Sequence, residues 1–377
     1  MAHGLRLRQF AVAAALAMAA CGTARTPARR GPDTLPAQLG DQEFWSLVTD
    51  FSEPNGYFRS DNFLSNELAF QRVLTELPNG GVYMGVGPEQ NFTYLVAIHP
   101  KLAFIVDIRR GNLDEQLLYK AFIEMSHDRA DFLSRLFARR RSTDLASSAT
   151  VDALFAAYDE APPSQQLFDD NLRAARDWLV GRHGFQLTDQ DLAGLEHVYT
   201  AFFEGGPQLN YSFLSGNGGF RAATYFPSYE DLMTQTDSHG EQRSYLATEE
   251  NFRALQAMEK RNAIVPVVGN FAGPKAIRSV AKYLKDHDAT VTAFYTSNVE
   301  MYLFQQADDW RKFYANVAEL PIDDTSTFIR SVSGRGFQAS LIPGARANTR
   351  LSSIGGLEKA FHAGRIRGYG DVIAMSR

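Results

Sequence analysis

The stretch GVYMGVGPEQNFTYLVAIHPKLAFIVDIRR, residues 81–110, decides how the fold is read. Val82–Val86 is a short apolar run that passes into the turn Gly85-Val86-Gly87. Asn91–His99 has helical spacing and is bounded by Pro100, which cannot continue a helix. The run AFIVDI, residues 103–108, is continuously apolar up to Asp107, as suits a strand buried on both faces of a parallel sheet. Strand, glycine turn, helix and strand make one unit of an α/β sheet. Asp107 lies 22 residues after Gly85, at the end of the next strand, where an acid can accept hydrogen bonds from ribose hydroxyls. A Gly-x-Gly-x-x-Gly fingerprint would place its third glycine at residue 90, which is Gln90. The missing small residue argues against a dinucleotide.

The alternation continues on either side. Upstream, two short helical patterns flank the turn Pro54-Asn55-Gly56, the second carrying Leu64, Glu67, Leu68, Gln71 and Leu74. Downstream, Leu113, Leu117, Leu118, Ala121, Phe122 and Met125 recur at three- and four-residue steps, predicting one long amphipathic helix over 112–137. Further strands are predicted at 263–271, 289–298, 326–333 and 371–376, with helices at 251–262, 273–288, 301–320 and 355–366. The predicted architecture is a doubly wound, mostly parallel, Rossmann-like α/β sheet. Its halves are 39–141 and 251–377, separated by a helical and loop-rich insertion over 142–250. Within the insertion, Thr188 and Asp191 have capping-box spacing ahead of a helix, and 209–233 is an aromatic loop with Gly216, Gly218 and Gly219.

Ligands in such sheets bind beyond the carboxyl ends of the strands, where strand order reverses. The candidate binding residues are therefore Gly85, Gly87, Asn91, Asp107, Asn270 and Tyr295, with Asn298 and Glu300 as catalytic candidates. Each has a plainer alternative. Asp107 can pair with Arg109 or Arg110, Tyr295 can be core, and Asn298 and Glu300 can cap a loop. Glu53 and Asn55 precede the first strand, where substrate-binding lids often arise.

The glycine turn and Asp107 resemble motif I and the ribose-binding acid of class I S-adenosylmethionine-dependent methyltransferases. In the same resemblance Asn270 takes the adenine position, and FYTSNVEMYL, residues 294–303, takes the place of the catalytic motif. VGPEQNFTYL, SYLATEENF, VVGNFAGPKAI and SNVEMYLF resemble, more narrowly, a family of bacterial lipoproteins with a methyltransferase-like Rossmann fold, found in leptospires and other bacteria. That resemblance covers most of residues 45–330. It implies a fold, with S-adenosylmethionine as the cofactor if one is bound. The chain departs from motif I at Tyr83, where an acid is usual, and at Glu89, where a third glycine is common. Glu89 at a helix start repels phosphate but tolerates the cationic S-adenosylmethionine.

The N-terminus reads MAHGLRLRQFAVAAALAMAACGT. Arg6 and Arg8 precede an apolar run, Phe10–Ala20, that is too short to span a bilayer, which takes about 20 residues. Met18-Ala19-Ala20-Cys21 resembles a bacterial lipobox, which implies lipidation at Cys21 after removal of a signal peptide over 1–21. The plainer alternative is a secretory signal with an incidental cysteine. Residues 22–38, rich in Pro, Arg, Thr and Gly, are predicted to be a flexible tether. Gly22, in place of an aspartate, matches the outer-membrane pattern of a Gram-negative cell. Localisation in the cell envelope follows, with the membrane as partner through the anchor.

Composition narrows the rest. The 377 residues carry a formal net charge of −5, which supplies no basic field for nucleic acid; Arg135, Arg139, Arg140 and Arg141 form one local basic run. Cys21 is the only cysteine, and the eight histidines form no His-x-x-x-His or Glu-x-x-His pair, so no metal is expected. Ser215 in FLSGN lacks the first glycine of a nucleophile elbow. Export and a cytoplasmic cofactor conflict. The conflict is resolved if the methyltransferase-like domain has kept a small-ligand site, nucleoside-like or otherwise, and lost methyl transfer. The competing reading is an active methyltransferase acting on a small molecule or an envelope component.

Overall fold

A computed structural model describes residues 32–143, 145–211, 226–333 and 345–377. Three strands, β1 (Val82–Gly85), β2 (Leu102–Asp107) and β3 (Ile264–Val268), are buried along their whole length. With β4 (Val291–Ser297), β5 (Thr327–Val332) and β6 (Asn348–Ser353) they form one sheet of order β3-β2-β1-β4-β5-β6. The first five strands are parallel and β6 is antiparallel to β5. The fold is α/β and Rossmann-like, and strand order reverses between β1 and β4.

The buried strands explain their own composition: helices cover both faces, so no position faces water. Between β1 and β2 the chain forms α2 (Gln90–Ile98), and between β2 and β3 it forms α3 (Arg110–Met125), which packs on both β2 and β3. Helix α1 (Asp41–Phe51) covers β3. Further helices follow: α4 (Arg129–Phe137), α5 (Val151–Glu160), α6 (Gln165–Arg176), α7 (Asp189–Gly205), α8 (Tyr229–Thr234) and α9 (Glu249–Lys260), of which α4, α6, α7 and α9 pack on α3 and α5 packs on α8. Aromatic edge-to-face contacts knit this layer, among them Tyr119–Phe202 at 5.6 Å and Phe122–Tyr199 at 5.0 Å. The capping box predicted at Thr188 and Asp191 is formed. Beyond β3 come α10 (Ala276–Asp286), α11 (Val299–Leu303), α12 (Asp309–Val317), α13 (Ile354–His362) and α14 (Tyr369–Ala374).

Four sequence-based expectations need correction. The helix expected over 112–137 is two, because Asp128 accepts a hydrogen bond from Asp131 N–H and so starts α4 afresh after Met125. The helix expected over 301–320 is likewise divided into α11 and α12. The second pattern before β1 is a 3₁₀ turn over Phe70–Glu76. Residues 371–376, expected as the last strand, lie in and just after α14. Asp371 accepts from the N–H groups of Arg367 (2.7 Å) and Gly368 (3.1 Å) and fixes the helix start. The last strand is instead β6, whose sequence NTRLSS has no apolar run because an edge strand is half open to solvent.

Residues 32–38, read from sequence as the end of a tether, lie against the fold: Thr34 N–H donates to His287 O (2.9 Å) and Lys101 pairs with Asp33 (2.7 Å). Cys21 and the signal segment, and Ser215 with Gly216, Gly218 and Gly219, lie outside the described residues. Among the described residues no helix is long and apolar enough to cross a membrane.

Candidate functional site

The turn after β1 is held by the chain itself. Gly87 has φ +79°, a left-handed conformation that suits glycine. Asn91, fully buried in the first turn of α2, donates from Nδ2 to the carbonyls of Val86 (3.0 Å), Gly87 (3.1 Å) and Pro88 (2.8 Å). Its Oδ1 accepts the Tyr83 hydroxyl at 2.8 Å. Gly85 makes room for this bond, since an added Cβ would overlap Asn91 Oδ1 and the Tyr83 ring. Gly85, Gly87 and Asn91 therefore do converge, but the Asn91 amide is taken up by backbone. Tyr83 supplies the hydroxyl that orients Asn91. Glu89 precedes α2, fully buried, with both carboxylate oxygens 3.3 Å from Ser65 N–H. Burial pushes its pKa up to about 8.

At the switch point, Gln90 Nε2 donates to the Tyr295 hydroxyl (2.8 Å), joining the start of α2 to β4. Tyr295 in turn donates to Glu67 Oε1 (2.7 Å), and so does the Ser297 hydroxyl. Glu67 is 3% exposed, and burial raises its pKa. Glu67, from the segment ahead of β1, thus occupies the place where strand order reverses.

Asp107 is 5% exposed and fully engaged. Its Oδ1 accepts from Arg109 N–H (2.9 Å) and Nε (3.1 Å), and its Oδ2 accepts from Nη2 (3.1 Å). Asn270 Oδ1 accepts from Ala272 N–H (3.0 Å), and Asn270 N–H donates to Glu53 Oε2 (3.1 Å). The other Glu53 oxygen accepts from Lys275 (2.8 Å) and Ala276 (2.9 Å) N–H, so Glu53 caps α10 with its charge at the helix N-terminus. Asn55 accepts from Arg110 N–H (2.8 Å) and caps α3 in the same way. Both lid candidates are helix caps, and the segment that carries them runs along the carboxyl ends of β2 and β3.

Glu300 is 1% exposed and paired with Arg330 on β5, which is completely buried, also bonds Ser352 and lies over the Phe328 ring. Tyr314 donates to Glu300 Oε1 (2.6 Å) and Thr296 to Oε2 (3.3 Å). This carboxylate ties α11, α12 and β5 together. Asn298 stands half-buried at the start of α11, with no side-chain cap there.

Sequence reasoning missed a polar face on α3. Asn112, Glu115, Gln116 and Tyr119 are all within 3% of complete burial. Gln116 Nε2 donates to the Gly87 carbonyl (3.2 Å), so this face meets the glycine turn. Burial, and then the nearby Glu89 carboxyl, push the Glu115 pKa well above the carboxylate range. A polar run such as Asn112 to Gln116 ordinarily reads as a solvated face; here Gln116 meets the glycine turn and Asp114 lies against Gly194 of α7, and the run is interior. Among the described residues no group of three or more His, Cys, Asp or Glu is arranged to hold a metal ion.

These features define a Rossmann-like α/β protein whose switch-point crevice is bridged by its own side chains. Residues 62–353 match a family described as a domain of unknown function, DUF7790, and the chain belongs to that family. No curated protein matches it.

Proposed function

We propose that the protein is a lipoprotein of the cell envelope, anchored through Cys21, whose methyltransferase-like domain binds a small polar molecule, nucleoside-like or otherwise, and transfers no methyl group. The observation that carries this reading is the pairing of Asp107 with Arg109, which uses both carboxylate oxygens where a cofactor ribose would need them. Asn91 and Asn270 are engaged with backbone in the same region. Polar groups remain buried beside the glycine turn, as in a small-ligand site. The test is calorimetry of the purified chain with S-adenosylmethionine and S-adenosylhomocysteine, beside a thermal-shift panel of nucleosides and small polar metabolites. The reading expects no heat from the first two at millimolar concentration and at least one stabilising molecule in the panel. Micromolar binding of S-adenosylhomocysteine would overturn the loss of methyl transfer, and a silent panel would overturn ligand binding.

One observation favours the competing reading of an active methyltransferase. Gly85 pairs with Ile105 on adjacent parallel strands, so the glycine turn and Asp107 open on the same edge of the sheet, as a nucleoside cofactor requires. The same calorimetry separates the two.

A further inference from the structure

The polar face of α3 carries an inference that rests on the ligand-binding reading above and names the chemistry of the ligand. Asn112, Glu115, Gln116 and Tyr119 stand at steps i, i+3, i+4 and i+7, within an arc of roughly 100° on the helix. The Gln116–Gly87 bond turns that arc toward the glycine turn. Both Glu115 oxygens, Gln116 Oε1 and Asn112 Nδ2 are buried and have no partner among the described residues. Three of these four atoms are acceptors if Glu115 is ionised, and one is a donor. Buried polar atoms are nearly always paired in native proteins, so a cluster left open at a sheet's binding edge points to a ligand that completes it. The acceptor excess selects a ligand rich in donors. The nearest guanidinium, Arg109, is already neutralised by Asp107 and does not oppose a second cation.

We propose that this face of α3 binds a compact organic cation with N–H donors, an alkylammonium or guanidinium group, on the Glu115 carboxylate and Gln116 Oε1, admitted past Arg109. Cation binding is coupled to proton release. The titratable and charged groups facing Glu115 are Glu89 before α2, Asp107 at the end of β2, Arg109 after it, Asp61 before β1, Tyr119 on α3, and Tyr229 and Tyr245 of the insertion. Burial raises both carboxyls, Glu89 to about 8 and Glu115 well above the usual carboxylate range, and so favours the protonated form of each. An entering cation ionises Glu115 and displaces its proton, so affinity rises with pH, about tenfold per unit for one proton released.

The test is calorimetry of the full chain with methylguanidinium and ethylammonium chlorides, with neutral N-methylurea as control, in two buffers of different ionisation enthalpy. The expected result is binding of at least one cation, release of about one proton, and about tenfold tighter binding at pH 7 than at pH 6. Glu115→Gln should weaken that binding at least tenfold. Should this variant fail to fold, the proton count and the pH dependence of the unaltered chain decide. N-methylurea binding as well as the cations, cation binding without proton release, or no cation binding at all each overturns the proposal. Adenosine in the same series separates the two ideas: if it binds while the cations do not, the ligand-binding reading stands and this one falls. If nothing binds, both fall.

Discussion

Arg109 holds both carboxylate oxygens of Asp107 within one turn of chain, at 3.1 Å from Nε and 3.1 Å from Nη2. Both side chains are about nine-tenths buried, so removing one partner strands a charge. Arg109→Met is expected to cost about 3 kcal/mol in urea unfolding, and Asp107→Asn in the same chain should restore part of it. A loss under about 1 kcal/mol in the single variant would mean that solvent screens the pair.

The two glycines of the turn should fail for different reasons. Alanine at Gly85 would collide with Asn91 and the Tyr83 ring, breaking the bonds that hold the turn, and should cost about 3 kcal/mol. At Gly87 there is space, the nearest atom being Gln90 Nε2 at 3.6 Å. Only the left-handed backbone is strained, at about 1 kcal/mol. Denaturation of both variants reads the difference, and equal losses would contradict it.

Glu89 should make stability depend on pH. Its folded pKa of about 8 lies above the unfolded value of about 4.3, so the folded state binds the extra proton between them. Its contribution to stability therefore falls as pH rises from about 4.3 to about 8 and is constant beyond. Glu89→Gln should flatten that slope and stabilise the chain at pH 8 relative to pH 4. Parallel pH profiles for the two proteins would show that Glu89 is not the source.

His183 should act in the same sense, but through an ion pair rather than through burial. Its ring nitrogens lie 2.7 Å from Asp41 Oδ1 and 2.7 Å from Glu124 Oε2. Burial lowers its pKa, but hydrogen bonds to Glu124 and Asp41 outweigh that and raise it. The stabilisation is complete below the unfolded pKa of about 6.5 and is lost as pH rises through the folded value. His183→Gln should cost about 2 kcal/mol at pH 5.5 and less at pH 8.5, read from urea midpoints. A cost that grows with pH would reverse the assignment.

Cys21→Ala tests the anchor. On the proposed function the variant leaves the membrane fraction while the unaltered chain stays with it and gains the mass of a lipid. Identical fractionation of the two would remove Cys21 from the account.

Much of the fold was legible because several strands are continuous apolar runs, ended by the glycine turn at Gly85 in β1 and by Asp107 in β2. What misled was local ambiguity. Val372 and Ile373 suit a strand or a short helix equally, and Asp371 decides for a helix by capping it. The candidate site was legible in position and much less so in partners. Asp107 and Arg109 are two residues apart, and their pairing was an open alternative. The Glu67–Tyr295 bond spans 228 residues, and no local pattern announces it.

By itself, the sequence determined an alternating α/β chain, the glycine turn and Asp107 at neighbouring strand ends, and a lone cysteine near the N-terminus. These are properties of short segments, governed by apolar periodicity and backbone sterics. Only the tertiary structure decided which polar groups are satisfied. It placed Glu67 at the switch point, made Glu53 a cap for α10, and turned the Asn112–Gln116 run from an apparent solvent face into an interior one. Burial and pairing depend on what packs from elsewhere in the chain, here the glycine turn and the insertion against α3 and β4 against Glu67.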